Sequence, residues 1–268
     1  MFEMFSYPFV QRALLVGLMI SICAALVGVS LVLRRNSMIG DGLSHTAFSA
    51  FAIATVLGVA PLYIALPVVI IASFFVLRLS QNKRIHGDAA IAVLSASSLA
   101  IGTMAISVSK GVNIDLNSYL FGSILAVSWT DVILSGVLAL IVVALYLFAY
   151  HRIFAITFDE EFAKSVGVKT GLYDAIFAAI CSVVIVLGMR LLGSLLISSL
   201  IIFPTLSAMC LCSSFKKIIM ASVIISVLAF VAGLMMSYSL ATPTGATVVI
   251  MNLVAFIICY LLGKIQKS

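Results

Sequence analysis

Residues 9–33 have the sequence FVQRALLVGLMISICAALVGVSLVL, and this run places the chain in a membrane. It contains a single charged residue, Arg12, near its start. A helix that spans a bilayer needs about 20 predominantly apolar residues, so the run is long enough to cross. It is also longer than the apolar core of a signal peptide, and no small-residue cleavage pattern follows it. We therefore predict a transmembrane helix of the mature protein.

The whole chain has the composition of a membrane protein. Of its 268 residues, 64% are hydrophobic and 9% are charged, whereas a soluble domain carries about 25% charged residues. No low-complexity tract or linker interrupts it, so we predict a single all-α, polytopic membrane domain over residues 1–268, with eight or nine spans. The candidate spans lie near residues 9–33, 38–58, 61–79, 89–108, 131–150, 171–189, 192–213, 218–238 and 245–263.

The basic residues indicate how the chain is oriented. Lys and Arg concentrate in the cytoplasmic loops of membrane proteins, and here alternate loops separate them into two sets. Arg12, Lys110 and Arg190 lie on one side, and the other twelve lie on the opposite side or at the C-terminus. We therefore predict a cytoplasmic C-terminus and, with nine spans, an external N-terminus. Because the net charge of +6 belongs to these loops, it does not indicate a nucleic-acid partner.

Two ionisable residues lie four positions apart at the start of the second span, SMIGDGLSHTAFSAFAIATVLG (residues 37–58). Asp41 and His45 share one helical face, about 6 Å apart along the axis. Ionisable residues inside spans are functional candidates, and a carboxylate with an imidazole can bind a divalent cation. Two alternatives stay open: Asp41 caps the helix at its positive end, or His45 is an interior histidine with satisfied hydrogen bonds. Small neighbours, including Gly40 and Ser44, favour an interior helix with Ser44 beside a pathway.

The seventh span, near residues 192–213, contains Pro204 among hydroxyl residues. Proline frees backbone carbonyl groups in a helix, and serine or threonine can satisfy them again. We predict a kinked, hydroxyl-rich helix and take Ser199, Pro204 and Thr205 as candidates for lining the pathway. A purely structural role of the same residues is the alternative.

Two connections are longer than a turn. Residues 109–130 are predicted outside, either as a loop with aromatic anchors at the membrane surface or as a short helix that returns over a pathway. Residues 151–170 are predicted inside as a short amphipathic helix, and they include the acidic cluster Asp159, Glu160 and Glu161. Such a cluster is usually a solvated face, but no other cytoplasmic segment is large enough to receive a partner.

Several motifs are missing from the sequence. It has no G-x-x-x-x-G-K-[ST] phosphate loop, so ATP-driven transport needs an ATPase in a separate subunit. No Ser/His/Asp set and no H-E-x-x-H pair is evident, which gives an intramembrane enzyme little support. The five cysteines lie inside apolar runs without metal-binding spacing and are predicted to be packing residues. We expect no permanently bound cofactor.

Five sequence blocks occur in a characteristic order. They are YPFVQRALLVG (7–17), LVLRRNSMIGDGLSHTAFS (31–49), DLNSYLFGSILAVSWTDV (115–132), FDEEFAKSVGV (158–168) and GSLLISSLIIFPTLSA (193–208). In these blocks the chain resembles, over nearly its full length, the permeases of the bacterial zinc, manganese and iron ABC importers, and most closely the zinc permeases.

The resemblance implies a homodimeric membrane domain with the type II, vitamin-importer-like permease fold, in the plasma membrane of a bacterium. Two cytosolic ABC ATPases would bind beneath it, and an extracellular metal-binding protein would deliver the cation. The metal ligands of the family fall on Asp41 and His45. Its coupling helix falls on residues 158–168, where the implied ATPase contacts are Asp159, Glu160, Glu161, Phe162, Ala163, Val166 and Gly167.

The resemblance thus favours ATP-driven import of a divalent metal ion by a transport subunit that is not an enzyme. Two copies of Asp41 and His45 would supply two carboxylates and two imidazoles, which suit tetrahedral zinc, whereas manganese takes more oxygen ligands. Manganese or iron import by the same machinery stays open. So does an ATP-independent metal transporter, although no convincing inverted repeat is found. A membrane scaffold that transports nothing is the third interpretation.

Overall fold

The described part of the chain is helical throughout, which confirms the all-α prediction. The computed structural model describes residues 7–80, 87–109, 122 and 127–267, and every regular element within them is a helix. The helices are α1 (Pro8–Leu33), α2 (Ile39–Val56), α3 (Pro61–Ser80), α4 (Gly87–Val108), α5 (Trp129–Phe148), α6 (Tyr150–Phe158), α7 (Glu160–Ser165), α8 (Thr170–Leu192), α9 (Ser194–Leu211), α10 (Phe215–Leu240) and α11 (Thr244–Lys267).

Among the described residues, the nine long helices correspond one to one with the nine candidate spans. Eight of them are long and apolar enough to cross a membrane. The remaining one, α2, is not in that group, and most of its 18 residues are buried by other helices. A helix that is covered by protein does not have to face lipid, so it can carry polar residues such as Asp41 and His45. This burial confirms that α2 is an interior helix.

The centre of the bundle is α1. In its most apolar window 72% of the residues are buried, against 17% in α4 and 28% in α11. The peripheral helices leave large apolar side chains exposed, among them Tyr63 and Phe148. In a membrane protein such side chains face lipid tails, which are as apolar as they are. The chain is therefore organised around α1, with its apolar exterior suited to a bilayer.

Two glycines let α9 approach α1 and α2 closely. A Cβ added to Gly28 of α1 would lie 2.0 Å from the carbonyl oxygen of Ile201 in α9, and one added to Gly40 of α2 would meet Ile201 Cδ1 at 3.2 Å. Small residues permit such close packing between membrane helices. One turn further along α2, Ser44 contacts Ser198 of α9, so these two helices run antiparallel. Three helices thus meet around Ile201, next to the predicted metal ligands.

At one end of the bundle, α6 and α7 connect α5 with α8. Asp159 is the N-cap of α7, and its Oδ1 accepts a hydrogen bond from the Phe162 backbone N–H at 2.9 Å. Arg34, directly after α1, forms an ion pair with Asp174 of α8 at 2.9 Å and donates to the Ile156 carbonyl of α6 at 3.4 Å. Arg34 therefore connects the end of α1 with both α6 and the start of α8.

At the other end, a second ion pair joins α5 and α8. Arg190 Nη1 lies 3.0 Å from Asp131 Oδ1, and the Asp131 side chain is only 2% exposed. Asp131 also completes a capping box with Ser128 at the start of α5. An arginine near the end of a span often extends to the membrane surface, but this one neutralises a buried carboxylate. The two alternatives predicted for residues 109–130 fall mostly outside the described residues.

Candidate metal site

The first turns of α2 hold the two predicted ligands side by side. His45 Nε2 lies 3.6 Å from Asp41 Oδ2, as expected for residues one helical turn apart. Asp41 does not provide the N-cap, because Met38 occupies that position and makes no side-chain cap. Asp41 is in the first turn, where the positive helix end stabilises an anion, and its carboxylate also lies beside the imidazole, so the arrangement fits both the ligand interpretation and this alternative.

Both side chains are partly exposed, at a gap in the protein cover of α2 that we call the opening. Their exposed fractions are 36% for Asp41 and 22% for His45, whereas every other residue of α2 from Ile39 to Ala52 is buried. The Nδ1 atom of His45 is buried and has no hydrogen-bond partner among the described residues. Within the same residues, no group of three or more His, Cys, Asp and Glu comes together. One copy of the chain thus presents one carboxylate and one imidazole at this opening.

Ser198 of α9 borders the opening. Ser198 Oγ lies 3.5 Å from Asp41 Oδ1 and 3.4 Å from Ser44 Oγ. Ser44 is buried, and its hydroxyl donates to the Asp41 carbonyl oxygen at 2.8 Å. The polar atoms of the site therefore come from two antiparallel helices, and four side chains form a continuous group.

The site lies between the middle of α1 and its C-terminal end. Ile197, the residue before Ser198, lies beside Gly188 of α8. Ile20 of α1 lies beside the same glycine, so a Cβ added to Gly188 would meet both isoleucines. Ile20 is in the middle of α1, which is 26 residues long. Gly40, directly before Asp41, meets Ile201, which also meets Gly28 nearer the end of α1, so Asp41 lies inside the bundle but not at its middle. A charge at such a depth needs a partner or a function.

The other predicted pathway residues are buried within the bundle, and the hydroxyl groups among them bond to carbonyls of α9 itself. Ser199 is buried and donates to the Leu196 carbonyl at 3.0 Å, and Thr205 is buried and donates to the Ile201 carbonyl at 3.4 Å. Pro204 is buried too, and α9 continues through it. The opening instead receives Ser198, one position away from Ser199. The sequence marks a hydroxyl-rich helix but does not tell which hydroxyl faces α2.

The predicted coupling segment contains the short helix α7. Phe162 and Val166 are 59% and 65% exposed, whereas Ala163 is 1% exposed. Glu161 and Gly167 are exposed as well, and Glu160 forms an ion pair with Lys164 at 2.7 Å. The segment therefore presents a surface of mixed apolar and charged side chains, and Ala163 anchors it to the protein.

A helical membrane bundle with partly exposed ionisable side chains on an interior helix has a feature expected of a membrane permease. The chain belongs to the ABC 3 transport family, whose profile matches residues 6–263.

Two relatives cover almost the whole chain. The manganese import system permease protein ScaB of Streptococcus gordonii is 30% identical over 264 residues, which are 97% of this chain and 94% of ScaB. The high-affinity zinc uptake system membrane protein ZnuB of Haemophilus influenzae is 30% identical over 247 residues, 92% of this chain and 94% of ZnuB. The resemblance recognised in the five sequence blocks is therefore confirmed.

The fold is also similar to a solved structure. PsaBC from Streptococcus pneumoniae in complex with Fab has a TM-score of 0.85 to this chain at 29% identity, and the match covers 97% of this chain and 94% of that chain. The predicted permease fold is confirmed by this similarity. Like its relatives, the chain is a multi-pass membrane protein and a transport subunit.

Proposed function

We propose that the chain is the permease subunit of an ABC importer that moves a divalent transition-metal ion into a bacterial cell, with Asp41 and His45 as metal ligands. One observation carries the proposal: between Ile39 and Ala52, only these two residues of α2 are partly exposed, and they lie side by side inside the bundle. The names of ScaB and ZnuB, which state manganese import and zinc uptake, support a metal ion as the cargo.

A second copy of the chain completes the site in this proposal. A charged side chain that faces lipid costs up to about 2.5–3.5 kcal/mol on insertion scales, so Asp41 is poorly placed to face lipid. A symmetric partner would cover the opening and bring a second carboxylate and a second imidazole. The four donors match the ligand types and the number of a tetrahedral zinc site. Zinc is accordingly the preferred cargo, and manganese or iron is the alternative.

ATP hydrolysis belongs to a separate subunit that binds α7. Phe162 and Val166 offer an exposed apolar contact, and the acidic residues of the segment offer a charged one. Asp159 has the additional role of holding the helix start through its cap. The Arg34 ion pair then connects this region with the turn that precedes α2. With this orientation the C-terminus is cytoplasmic, and an extracellular metal-binding protein delivers the ion on the other side.

The proposal is tested by metal uptake in cells that depend on this importer. His45→Ala and Asp41→Asn should each lower zinc uptake by more than about 100-fold, because even residues behind a metal ligand change affinity by about 10–100-fold. The matched controls are His151→Ala and Asp88→Asn, which change an exposed histidine and an exposed aspartate and should retain uptake.

Co-purification with the cognate ATPase shows that the variants assemble. Wild-type uptake by His45→Ala would remove the ligand assignment. Uptake that persists in cells without the ATPase would support an ATP-independent transporter instead. A scaffold would be supported by two results together: both site variants take up metal like the wild type, and cells that lack the chain have unchanged metal content.

A further inference from the structure

We infer that Ser198 is a specificity-determining residue of the metal site, where its hydroxyl oxygen allows manganese to be accepted beside zinc. The inference rests on the proposed function, because it assigns a further donor to the opening formed by Asp41 and His45. It concerns a residue of a different helix, α9, which borders the opening.

The geometry separates Ser198 from every other hydroxyl of α9. Ser198 Oγ is 3.5 Å from Asp41 Oδ1, close enough for one ion to contact both oxygens. The side chain of Ser198 is partly exposed, whereas the other serine and threonine residues of α9 are buried. Those buried residues are Ser194, Ser199, Thr205 and Ser207.

The remaining contacts of Ser198 leave its oxygen available. Its hydroxyl donates to the Ser194 carbonyl at 3.1 Å and approaches Ser44 Oγ at 3.4 Å. The same hydroxyl is also placed to donate to Asp41 Oδ1 at 3.5 Å. A hydroxyl has one hydrogen, so donation to the Ser194 carbonyl leaves the lone pairs of the oxygen free to accept a cation beside Asp41. Ser44, in contrast, is fully buried and directs its hydroxyl to the Asp41 backbone. Ser198 is therefore the neutral side-chain oxygen that lies beside the Asp41 carboxylate.

The chemistry of an added oxygen discriminates between metals. Asp41 and His45 from two copies provide four donors, which satisfy zinc. Hard cations such as manganese prefer oxygen ligands and higher coordination numbers. Ser198 from two copies raises the set to six donors, four of them oxygen. Loss of this hydroxyl should consequently weaken manganese binding much more than zinc binding.

The experiment measures competition between manganese(II) chloride and zinc(II) chloride for the full chain, purified with its ATPase in lipid nanodiscs. In Ser198→Ala, the ratio of the manganese Kd to the zinc Kd should rise about tenfold or more, within the range seen when a group beside a metal ligand is removed. Ser207→Ala is the matched control, because Ser207 is a buried serine of the same helix whose hydroxyl donates to the carbonyl four residues earlier, at 2.8 Å. Its ratio should equal that of the wild type.

Two further variants keep the inference falsifiable if Ser198→Ala does not fold. Ser198→Thr retains a hydroxyl and should preserve the ratio. Ser198→Cys replaces a hard oxygen by a soft sulfur, which favours zinc, and should raise the ratio. An unchanged ratio in Ser198→Ala or Ser198→Cys overturns the inference, and so does equal weakening of both metals. Failure of the wild type to bind either metal would instead overturn the proposed function.

Discussion

Replacing a glycine by alanine should have opposite effects on stability at two positions, Gly28 of α1 and Gly136 of α5. In Gly28→Ala the new Cβ would lie 2.0 Å from the Ile201 carbonyl oxygen and 2.9 Å from its carbonyl carbon. Ordinary contacts begin near 3.4 Å, so the helices would have to separate by more than about 1 Å. Overpacking of this kind costs about 1–3 kcal/mol. The better helix propensity of alanine offsets only about 1 kcal/mol.

Gly136 of α5 provides the matched comparison. A Cβ at this position would meet Met19 Sδ at 3.7 Å and Met19 Cε at 3.8 Å, which are ordinary contacts with a flexible side chain. Gly136→Ala should therefore leave stability unchanged or raise it by up to about 1 kcal/mol. Gly28→Ala should lower it by about 1–3 kcal/mol, since the obstacle is backbone that cannot move aside.

The assay is thermal denaturation of the detergent-solubilised chain, followed by the fraction that remains monodisperse after heating. Gly28→Ala should lose this fraction at a lower temperature than the wild type, and Gly136→Ala should not. Shortening Ile201 to valine should not rescue Gly28→Ala, because the clash involves the carbonyl group. It should relieve Gly40→Ala, where the nearest atom is Ile201 Cδ1 at 3.2 Å. Equal heat stability of the Gly28 and Gly136 variants would refute the reasoning.

Two further predictions concern polar contacts of α1 and of Arg34, which follows it. Tyr146→Phe removes a buried hydroxyl that donates to the Leu26 carbonyl and shares a 2.7 Å hydrogen bond with Ser30, so the free energy of unfolding should fall by about 1–3 kcal/mol; wild-type heat stability would contradict this. Arg34→Ala leaves Asp174 unpaired and should lower the free energy of unfolding by about 1–3 kcal/mol. This loss is below the range for a fully buried pair because both side chains are slightly exposed. Adding Asp174→Ala should recover part of that loss in a double-mutant cycle, and strictly additive losses would show that the pair does not interact.

The positions of the spans follow from local sequence. The predicted span 61–79 corresponds to α3, Pro61–Ser80, and the predicted span 9–33 corresponds to α1, Pro8–Leu33. Such agreement is expected because apolar runs of sufficient length are set by the bilayer, whatever their neighbours are. The pairing of Asp41 with His45 is local as well, since residues four apart in a helix are always adjacent.

The partners of these residues could not be predicted in the same way. The hydroxyl-rich span suggested Ser199 and Thr205, yet Ser198 faces Asp41, because a helix has several faces and only its packing partner selects one. Asp131 was not recognised as the partner of Arg190, since the two are far apart in the chain and meet only when α5 packs beside α8.

Composition and local periodicity were therefore sufficient to establish a helical membrane bundle and to bring one carboxylate beside one imidazole, because both depend on distances along a single helix. Packing between helices decided that α2 is covered by protein, that the Asp41–His45 pair stays partly exposed, and that Ser198 joins it. Those features depend on close approaches such as that of Gly28 to the Ile201 backbone, and such contacts between distant segments leave no periodic signal in the sequence.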